Sequence, residues 1–137
     1  MFETSLYLLA GLPDFLSYFV SAIVLLLLFI GMYTWLTPHN ELALIRADNI
    51  AAALAFGGAM IGFALPLSSA ISHSLTLLDC VLWGLVALVI QVLTFLVLRM
   101  TVSELPKRII NGEMAPAIFT ASTAIAVGLI NASCMTY

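Results

Sequence analysis

Four long apolar stretches separated by short polar segments make up the chain. They cover about residues 15–36, 49–71, 80–100 and 114–135, and each reaches the roughly 20 residues that a helix needs to cross a bilayer. Because the segments between them are short, successive helices should pack as antiparallel neighbours. The pattern therefore predicts an all-α, polytopic membrane protein with four transmembrane helices in a single membrane domain.

Polar and proline positions predict where these helices begin and end. Pro13 with Asp14 precedes the first stretch and Asp79 precedes the third, and aspartate can cap the N-terminus of a helix. Pro38 cannot continue the first helix. Residues 2–9 predict either a short helix lying on the outer membrane surface or a partly ordered tail.

The four basic residues of the chain all lie in two of its polar segments. Arg46 follows the first apolar stretch, whereas Arg99, Lys107 and Arg108 follow the third. Segments that carry Lys and Arg are retained on the cytoplasmic side of a membrane, so both termini should lie on the outer side. Both segments mix charges with Leu or Ile and should form short turns of interfacial helix.

Composition supports the membrane assignment and excludes other classes. The chain is 64% hydrophobic and 8% charged, as is typical of a membrane protein in contact with lipid. It has no basic patch for nucleic acid. No ionisable side chain lies deep in an apolar stretch, which argues against a proton relay or an ion-coupled transporter. Glu3 and Asp14 replace the positive charge of a secretory signal, so we expect residues 1–137 to remain in one piece.

A shift of 64 residues aligns the second apolar stretch with the fourth. The first and third stretches are rich in Leu, Val and aromatic residues, whereas the second and fourth are rich in Gly, Ala, Ser and Thr. We therefore expect two two-helix repeats of the same orientation, about residues 12–71 and 79–137, related by an axis along the membrane normal. The shift superposes identical residues at five pairs: Ala51 and Ala115, Ala53 and Ala117, Ile61 and Ile125, Leu65 and Leu129, Ser69 and Ser133.

Small residues recur at four-residue spacing in the second and fourth stretches. They are Gly58 and Gly62 in the second, and Ala124, Gly128 and Ala132 in the fourth. Small residues let helices approach closely in lipid, so these two helices should form the packed centre, with the first and third facing lipid. Small residues on several faces fit either a homo-oligomer, most simply a dimer held through these helices, or tight packing within one chain.

Polar residues inside the apolar stretches are candidates for a polar cavity. Gln91 and Asn131 are costly in lipid unless partnered, so each should meet another helix or water. Such groups either line a narrow path or form hydrogen bonds between helices. Pro66 should kink its helix or free a backbone carbonyl near Gly62. The candidate set comprises Pro66, Ser68, Ser69, Gln91, Asn131 and Ser133.

Motifs that carry catalysis are missing from the sequence. There is no His-Glu-x-x-His element, no Gly-x-Ser-x-Gly element and no phosphate or dinucleotide loop, and His39 and His73 fall on opposite sides of the membrane. We therefore expect no catalytic residues, no metal site and no cofactor. Cys80 and Cys134 fall at the outer ends of their helices, where they could form a disulfide or remain as free thiols buried in the bundle.

Four ordered stretches carry a family resemblance over nearly the whole chain. They are TPHNE at residues 37–41, NIAAALA at 49–55, PLSSA at 66–70 and NASCMT at 131–136. Together they resemble the bacterial YjfL-like inner-membrane proteins, the family of domain of unknown function 350 (UPF0719). The resemblance implies a bacterial inner-membrane protein with four spans from a duplicated two-span unit. It implies no established activity and no catalytic residues.

Two functions are consistent with these patterns. The first is a non-enzymatic, oligomeric membrane subunit that supports an envelope-associated system and docks a cytoplasmic protein partner on its charged inner segments. The second is a channel or facilitator for small ions or polar solutes, with a path between the second and fourth helices near Pro66, Ser69, Asn131 and Ser133. A membrane-embedded enzyme has no catalytic constellation to support it.

Overall fold

The computed structural model of the protein describes residues 1–37 and 41–135. Within these ranges the fold contains six helices and no strand. Four of the helices are long and apolar enough to cross a membrane, which confirms the predicted spans. The two six-residue helices confirm the short turns of helix predicted in the charged segments, and their interfacial position stays a prediction. The helices are α1 (Phe2–Leu36), α2 (Glu41–Arg46), α3 (Ile50–His73), α4 (Leu77–Thr101), α5 (Leu105–Ile110) and α6 (Met114–Cys134).

Helix α1 begins at Phe2 rather than near residue 15. The predicted surface helix or tail is therefore wrong, and so is the predicted cap at Asp14. Good helix formers on both sides carry the helix through Pro13, and Ser17 Oγ donates to the Pro13 carbonyl at 2.9 Å. The 35 residues of α1 extend about 52 Å at 1.5 Å per residue. The predicted stop at Pro38 lies outside the described residues.

Side-chain caps fix the starts of α3 and α4. Asn49 Oδ1 accepts from the Ala52 N–H at 3.0 Å. At α4 the cap is Thr76, whose Oγ1 accepts from the Asp79 N–H at 3.1 Å, while the Asp79 carboxylate accepts from the Leu75 N–H at 3.3 Å. The prediction that Asp79 itself caps this helix is wrong. Asp79 lies at the third position of the first turn, where its carboxylate reaches back to the residue before the Thr76 cap, a variant of the capping box.

Helix α3 forms the centre of the bundle. Within the most apolar window of each helix, 56% of the residues are buried in α3, against 33% in α4, 33% in α6 and 11% in α1. The most extensive helix pair is α3 with α6, and α3 also packs on α4, while α1 packs on α4 and α3. The predicted packed centre is therefore right for α3. It is wrong for α6, which is no more buried than α4 because its outer face meets no other helix.

Both charged segments lie at one end of the bundle, here called the inner end. Asn49 Nδ2 donates to the carbonyls of Ile110 at 3.0 Å and Ile109 at 3.4 Å, and so ties the start of α3 to the end of α5. Arg99 Nη1 donates to the Leu36 carbonyl at 2.8 Å and ties the end of α4 to the end of α1. The inner end is therefore cross-linked by side chains that bond to backbone carbonyls of another helix.

Candidate functional site

A backbone carbonyl in the middle of α3 lacks its usual helical partner. Pro66 has no N–H to donate to the carbonyl of Gly62, four residues earlier. Gln91 in α4 supplies the missing donor, since its Nε2 lies 2.9 Å from Gly62 O and 3.4 Å from Ala124 O in α6. Gln91 is only 3% exposed, so these bonds form inside the bundle. A single amide side chain therefore joins α3, α4 and α6.

The backbones of α3 and α6 make their closest approach beside this amide. A Cβ placed on Gly128 would fall on the Gly62 carbonyl and lie 2.9 Å from Gly62 Cα, and one placed on Gly62 would lie 2.7 Å from the Ala124 carbonyl carbon. A Cβ on Gly58 would overlap Ala121. No side chain larger than hydrogen fits at these three glycines. Ala132, on the same helix, accepts from Ser69 Oγ at 3.1 Å.

A small cavity lies beside Gln91. Its volume is about 10 Å³, which is about the space that one water molecule needs. Thr120 lines it, is 1% exposed, and has a hydroxyl group that makes no hydrogen bond to the described residues. The rings of Phe29, Tyr33 and Phe95 form part of the wall. The cavity has room for a single polar molecule and is too small for a continuous path.

The structure divides the residues predicted to form one polar cavity. Gln91 lines the small cavity, and the other five are not among its lining residues. Asn131 is 8% exposed, and its Nδ2 makes no hydrogen bond to the described residues. Ser68 is exposed, and so is Ser133, whose hydroxyl donates to the Leu129 carbonyl of its own helix at 3.0 Å. The polar groups therefore belong to separate local contacts.

The four predicted basic residues lie at the inner end and differ in whether their side chains have a partner. Arg108 Nε pairs with Glu113 Oε1 at 3.1 Å, and Arg99 is engaged with the end of α1. Arg46 and Lys107 are exposed and form no hydrogen bond or ion pair with the described residues. Between the two charged segments lies an open groove of about 440 Å³. It is lined by Ala47, Asp48, Asn49, Ile50, Ala51, Ile110, Asn111, Gly112 and Met114.

Sequence reasoning missed the burial of one carboxylate. Glu41, which was predicted to belong to the charged inner surface, is only 1% exposed at the start of α2. The 64-residue shift that aligns the apolar stretches also places Glu41 on Leu105, which is fully buried at the start of α5. That alignment was the available signal that position 41 is covered by neighbouring helices.

Neither cysteine nor metal chemistry organises the described residues. Cys80 and Cys134 are both free thiols, the first buried and the second exposed. No group of three His, Cys, Asp or Glu side chains is placed to hold a metal ion in residues 1–37 and 41–135. His39 lies outside these ranges, so its predicted lack of a metal role stays a prediction.

Comparison with known proteins places the chain in a family. A family profile described as Domain of Unknown Function (DUF350) matches residues 7–135. The UPF0719 inner membrane proteins YjfL of Escherichia coli strain K12 and of Escherichia coli O157:H7 are each 39% identical over 132 residues, which cover 96% of this chain and 100% of the relative. No solved structure matches. The chain is a member of the DUF350 family of inner-membrane proteins, which confirms the resemblance seen in its motifs.

Proposed function

We propose that this protein is a non-enzymatic, oligomeric membrane subunit that docks a cytoplasmic partner on its inner end. Both termini then lie on the periplasmic side, because the four basic residues all fall in the two inner segments. The name of the relatives, inner membrane protein, supports the inner membrane as the location and leaves the orientation to the basic residues. The proposed role is to present a fixed surface to a partner that belongs to an envelope-associated system.

The inner end carries this proposal because it combines rigidity with two uncommitted cations. The bonds from Asn49 to the carbonyls of Ile109 and Ile110 tie α5 to the start of α3, and the bond from Arg99 to the Leu36 carbonyl ties the end of α4 to the end of α1. Arg46 and Lys107 project from this fixed platform beside the open groove, with no described partner for their charge. Exposed cations on a fixed backbone suit an acidic protein surface, since complementary charge steers the encounter and little backbone ordering accompanies binding.

The bounds of the helices support the predicted duplication. Helices α5 and α6 begin 64 residues after α2 and α3, at 105 and 114 against 41 and 50. The two turns that lead into α3 and α6 share a left-handed residue at the corresponding place, Asp48 with φ 66° and Gly112 with φ 80°. Such backbone is uncommon outside glycine, so its recurrence at this offset favours two copies of one unit.

Small residues also support the oligomeric part of the proposal. Gly58, Gly62 and Gly128 are used within one chain, where they let α3 and α6 cross. Further small residues at four-residue spacing remain exposed on the outer faces of the same helices, Ala64 with Ser68 on α3 and Ser122 with Ala126 on α6. Small-xxx-small spacing of this kind favours association with another helix in lipid.

A channel or facilitator is the second candidate, and the cavity beside Gln91 is what favours it. That cavity holds a buried, unpartnered Thr120 hydroxyl, a polar group suited to water or a small ion. Its volume of about 10 Å³ and the contact of Gly62 with Gly128 leave little support for a path within one chain. Flux of small ions and polar solutes into liposomes with purified protein tests this candidate.

Site-specific photo-crosslinking in cells tests the docking role. A photoreactive residue at position 46 or at position 107 should trap the same discrete protein, because both positions flank one surface. Reversing the charge at the other position (Lys107→Glu or Arg46→Glu) should reduce that product. Leu75, which is 92% exposed in the turn at the opposite end of the bundle, is the matched control position. Equal products from position 75, or crosslinks only between copies of this chain, would contradict the proposal.

A further inference from the structure

The two halves of the chain meet through unlike faces. On α3 the contact uses Gly58 and Gly62, which lie against Ala121, Ala124 and Gly128 of α6. By the 64-residue offset, the position on α6 that corresponds to Gly62 is 126 and the one that corresponds to Gly58 is 122. Neither belongs to this contact. A contact between like units through unlike faces is heterologous, so each unit retains one unused face.

Both unused faces are open in the single chain. On α6, Ser122 and Ala126 correspond to Gly58 and Gly62, and both are exposed. On α3, Gly57 corresponds to Ala121, and a Cβ placed there would meet no atom within 4 Å. Ala64 corresponds to Gly128 and is exposed. Met60, which corresponds to Ala124, packs on the core cluster instead. Small, accessible residues therefore occupy four of the five positions that correspond to the intrachain contact.

A groove repeats the same asymmetry. Helix α4 fills the angle between α1 and α3, where the Phe95 ring lies 5.0 Å from the Tyr33 ring and shares one core cluster with Phe29 and Phe63. The corresponding angle between α4 and α6 is an open, apolar groove of about 300 Å³. It is lined by Ile90, Leu93, Thr94, Val97, Leu98, Thr123 and Val127. By the 64-residue offset, α4 corresponds to α1. The helix expected to fill the groove between α4 and α6 is therefore an α1 helix.

Helix α1 exposes the face that this groove would accept. The residues through which α4 is buried include Cys80, Gly84, Ala87, Leu88, Gln91 and Phe95. Their counterparts on α1 are all apolar and all exposed, so the matching face of α1 has no partner within the chain. The counterparts are Leu16, Val20, Ile23, Val24, Leu27 and Gly31.

We propose that copies of this chain assemble head to tail, with α1 and α3 of a second copy on the open α4–α6 side of the first. The new contact repeats the intrachain one, so Ala126 of one copy meets Ala64 of the next as Gly62 meets Gly128. A repeated heterologous contact closes into a ring or extends as a filament. The inference rests on the duplication and the oligomer proposed above. It replaces the simple dimer by an assembly whose two partner faces differ.

Positions that are accessible in both halves point to the lipid-facing surface of this assembly. They include two pairs of bulky aliphatic residues, Ile61 with Ile125 and Leu65 with Leu129, and, nearer the outer end, two pairs of small residues, Ser68 with Ala132 and Ser69 with Ser133. Positions that are buried in one half and exposed in the other along α3 and α6 include small residues in both halves, as at Gly62 and Ala126. The assembly buries the second class and leaves the first in contact with lipid. The open face of α6 is bulkier than the corresponding face of α3 at two positions. It carries Phe119 and Ile130 where α3 has Ala55 and Pro66.

Disulfide crosslinking between differently tagged copies tests the head-to-tail contact. Two single-cysteine chains, Ala64→Cys and Ala126→Cys, are made with Cys80→Ala and Cys134→Ser and are produced separately and together in membranes. After mild oxidation, the mixture should give a crosslinked dimer of the two tags, while each chain alone should stay monomeric on a denaturing gel. One chain that carries both cysteines should give a ladder of products.

Matched positions provide the control for this experiment. Ile61→Cys and Leu129→Cys lie on the same two helices three residues from the test positions, about 60° round each helix axis toward lipid, so their mixture should give much less dimer. A steric variant, Ala126→Phe, should lower the mass of the particle in detergent to that of one chain. Diluted until the wild type is also a single chain, the variant and the wild type should unfold at the same temperature, because position 126 is exposed within a single chain.

The outcomes separate this inference from the proposed function. Self-crosslinking of Ala126→Cys alone would indicate a symmetric contact and overturn the head-to-tail arrangement while leaving an oligomer. Crosslinks of equal yield from the control pair would overturn it as well. A particle of single-chain mass with no crosslink at any position would remove both this assembly and the oligomeric part of the proposed function. The partner trapped at positions 46 and 107 would still stand or fall by its own test.

Discussion

Helices α3 and α6 hold corresponding places in the two halves of the chain, yet they differ in environment. The most apolar window of α3 is 56% buried and that of α6 is 33% buried. Gly62 lies in the bundle, whereas the residue at its corresponding place, Ala126, is exposed. Both helices are apolar and rich in small residues, so composition does not set this difference. How much of a membrane helix is buried against protein depends on which helices surround it, because apolar side chains are stable against either lipid or protein.

The largest expected effect comes from a substitution that forces α3 and α6 apart where they cross. Gly128→Leu places a side chain on the Gly62 carbonyl, so the helices must separate. It should lower the free energy of unfolding by at least the roughly 1–3 kcal/mol typical of overpacking. Ala126→Leu, two residues earlier on the exposed face, should leave a single chain within about 0.5 kcal/mol of the wild type. Unfolding by sodium dodecyl sulfate in mixed micelles measures both, and equal losses would refute the distinction.

The next effect concerns the amide that only one half possesses. Gln91→Leu introduces the residue found at the corresponding position, Leu27, and leaves the Gly62 carbonyl without its donor. The loss should be about 1–2 kcal/mol, as for other hydrogen bonds between membrane helices. In a Pro66→Ala background the loss should shrink, because the alanine N–H can bond to Gly62. An equal loss in both backgrounds would show that Gln91 stabilises the bundle by other contacts.

Corresponding helix starts provide a smaller contrast. Asn49→Ala removes the cap of α3 and the bonds to α5, and should cost about 1 kcal/mol of unfolding free energy. Glu113 occupies the corresponding position before α6 but makes no capping bond. Glu113→Ala removes only a partly exposed ion pair with Arg108, which contributes about 0–1 kcal/mol. A loss for Glu113→Ala as large as that for Asn49→Ala would contradict the assigned role of the cap.

The smallest effect sharpens the contrast between the two left-handed turns. Asp48 has φ 66° at the place where the other half has Gly112. Asp48→Gly should raise the free energy of unfolding by about 0.5 kcal/mol, since relief of left-handed strain outweighs the added freedom of the unfolded chain. Gly112→Asp should lower it by a similar amount. Thermal midpoints of the two variants should therefore move in opposite directions, and a shift in the same direction would count against the turn geometry.

The spans could be predicted from the sequence because lipid requires about 20 apolar residues in each of them. Three starts agree within a few residues. The start of α1 does not, because Pro13 beside Asp14 has the pattern of a helix boundary, whereas the apolar helix formers around it outweigh one lost backbone bond. The contact face of α3 and α6 could be predicted from the small residues at positions 58, 62, 124 and 128. The buried faces of α1 and α4 could not, since an all-round apolar helix carries no amphipathic signal.

The polar contacts could be predicted in kind but not in partner. Proline at position 66 indicates a freed carbonyl at Gly62 from local geometry alone. The donor is Gln91, 29 residues away, and it follows only from the packing of α4 on α3. The burial of Glu41 is a tertiary effect of the same sort, since its own segment has the charge and length of an exposed turn. Local chemistry therefore indicates which groups need a partner, and packing decides which partner they find.

The length of α1 has a consequence for the choice of membrane. At about 52 Å, α1 exceeds a hydrocarbon core of about 30 Å, and its residues 2–17 are all exposed. Part of this helix must therefore tilt or emerge from the hydrocarbon. Thicker bilayers cover more of its apolar side chains, so α1 makes the energy of the whole bundle depend on acyl-chain length. The protein should accordingly partition toward the thicker regions of the membrane that contains it.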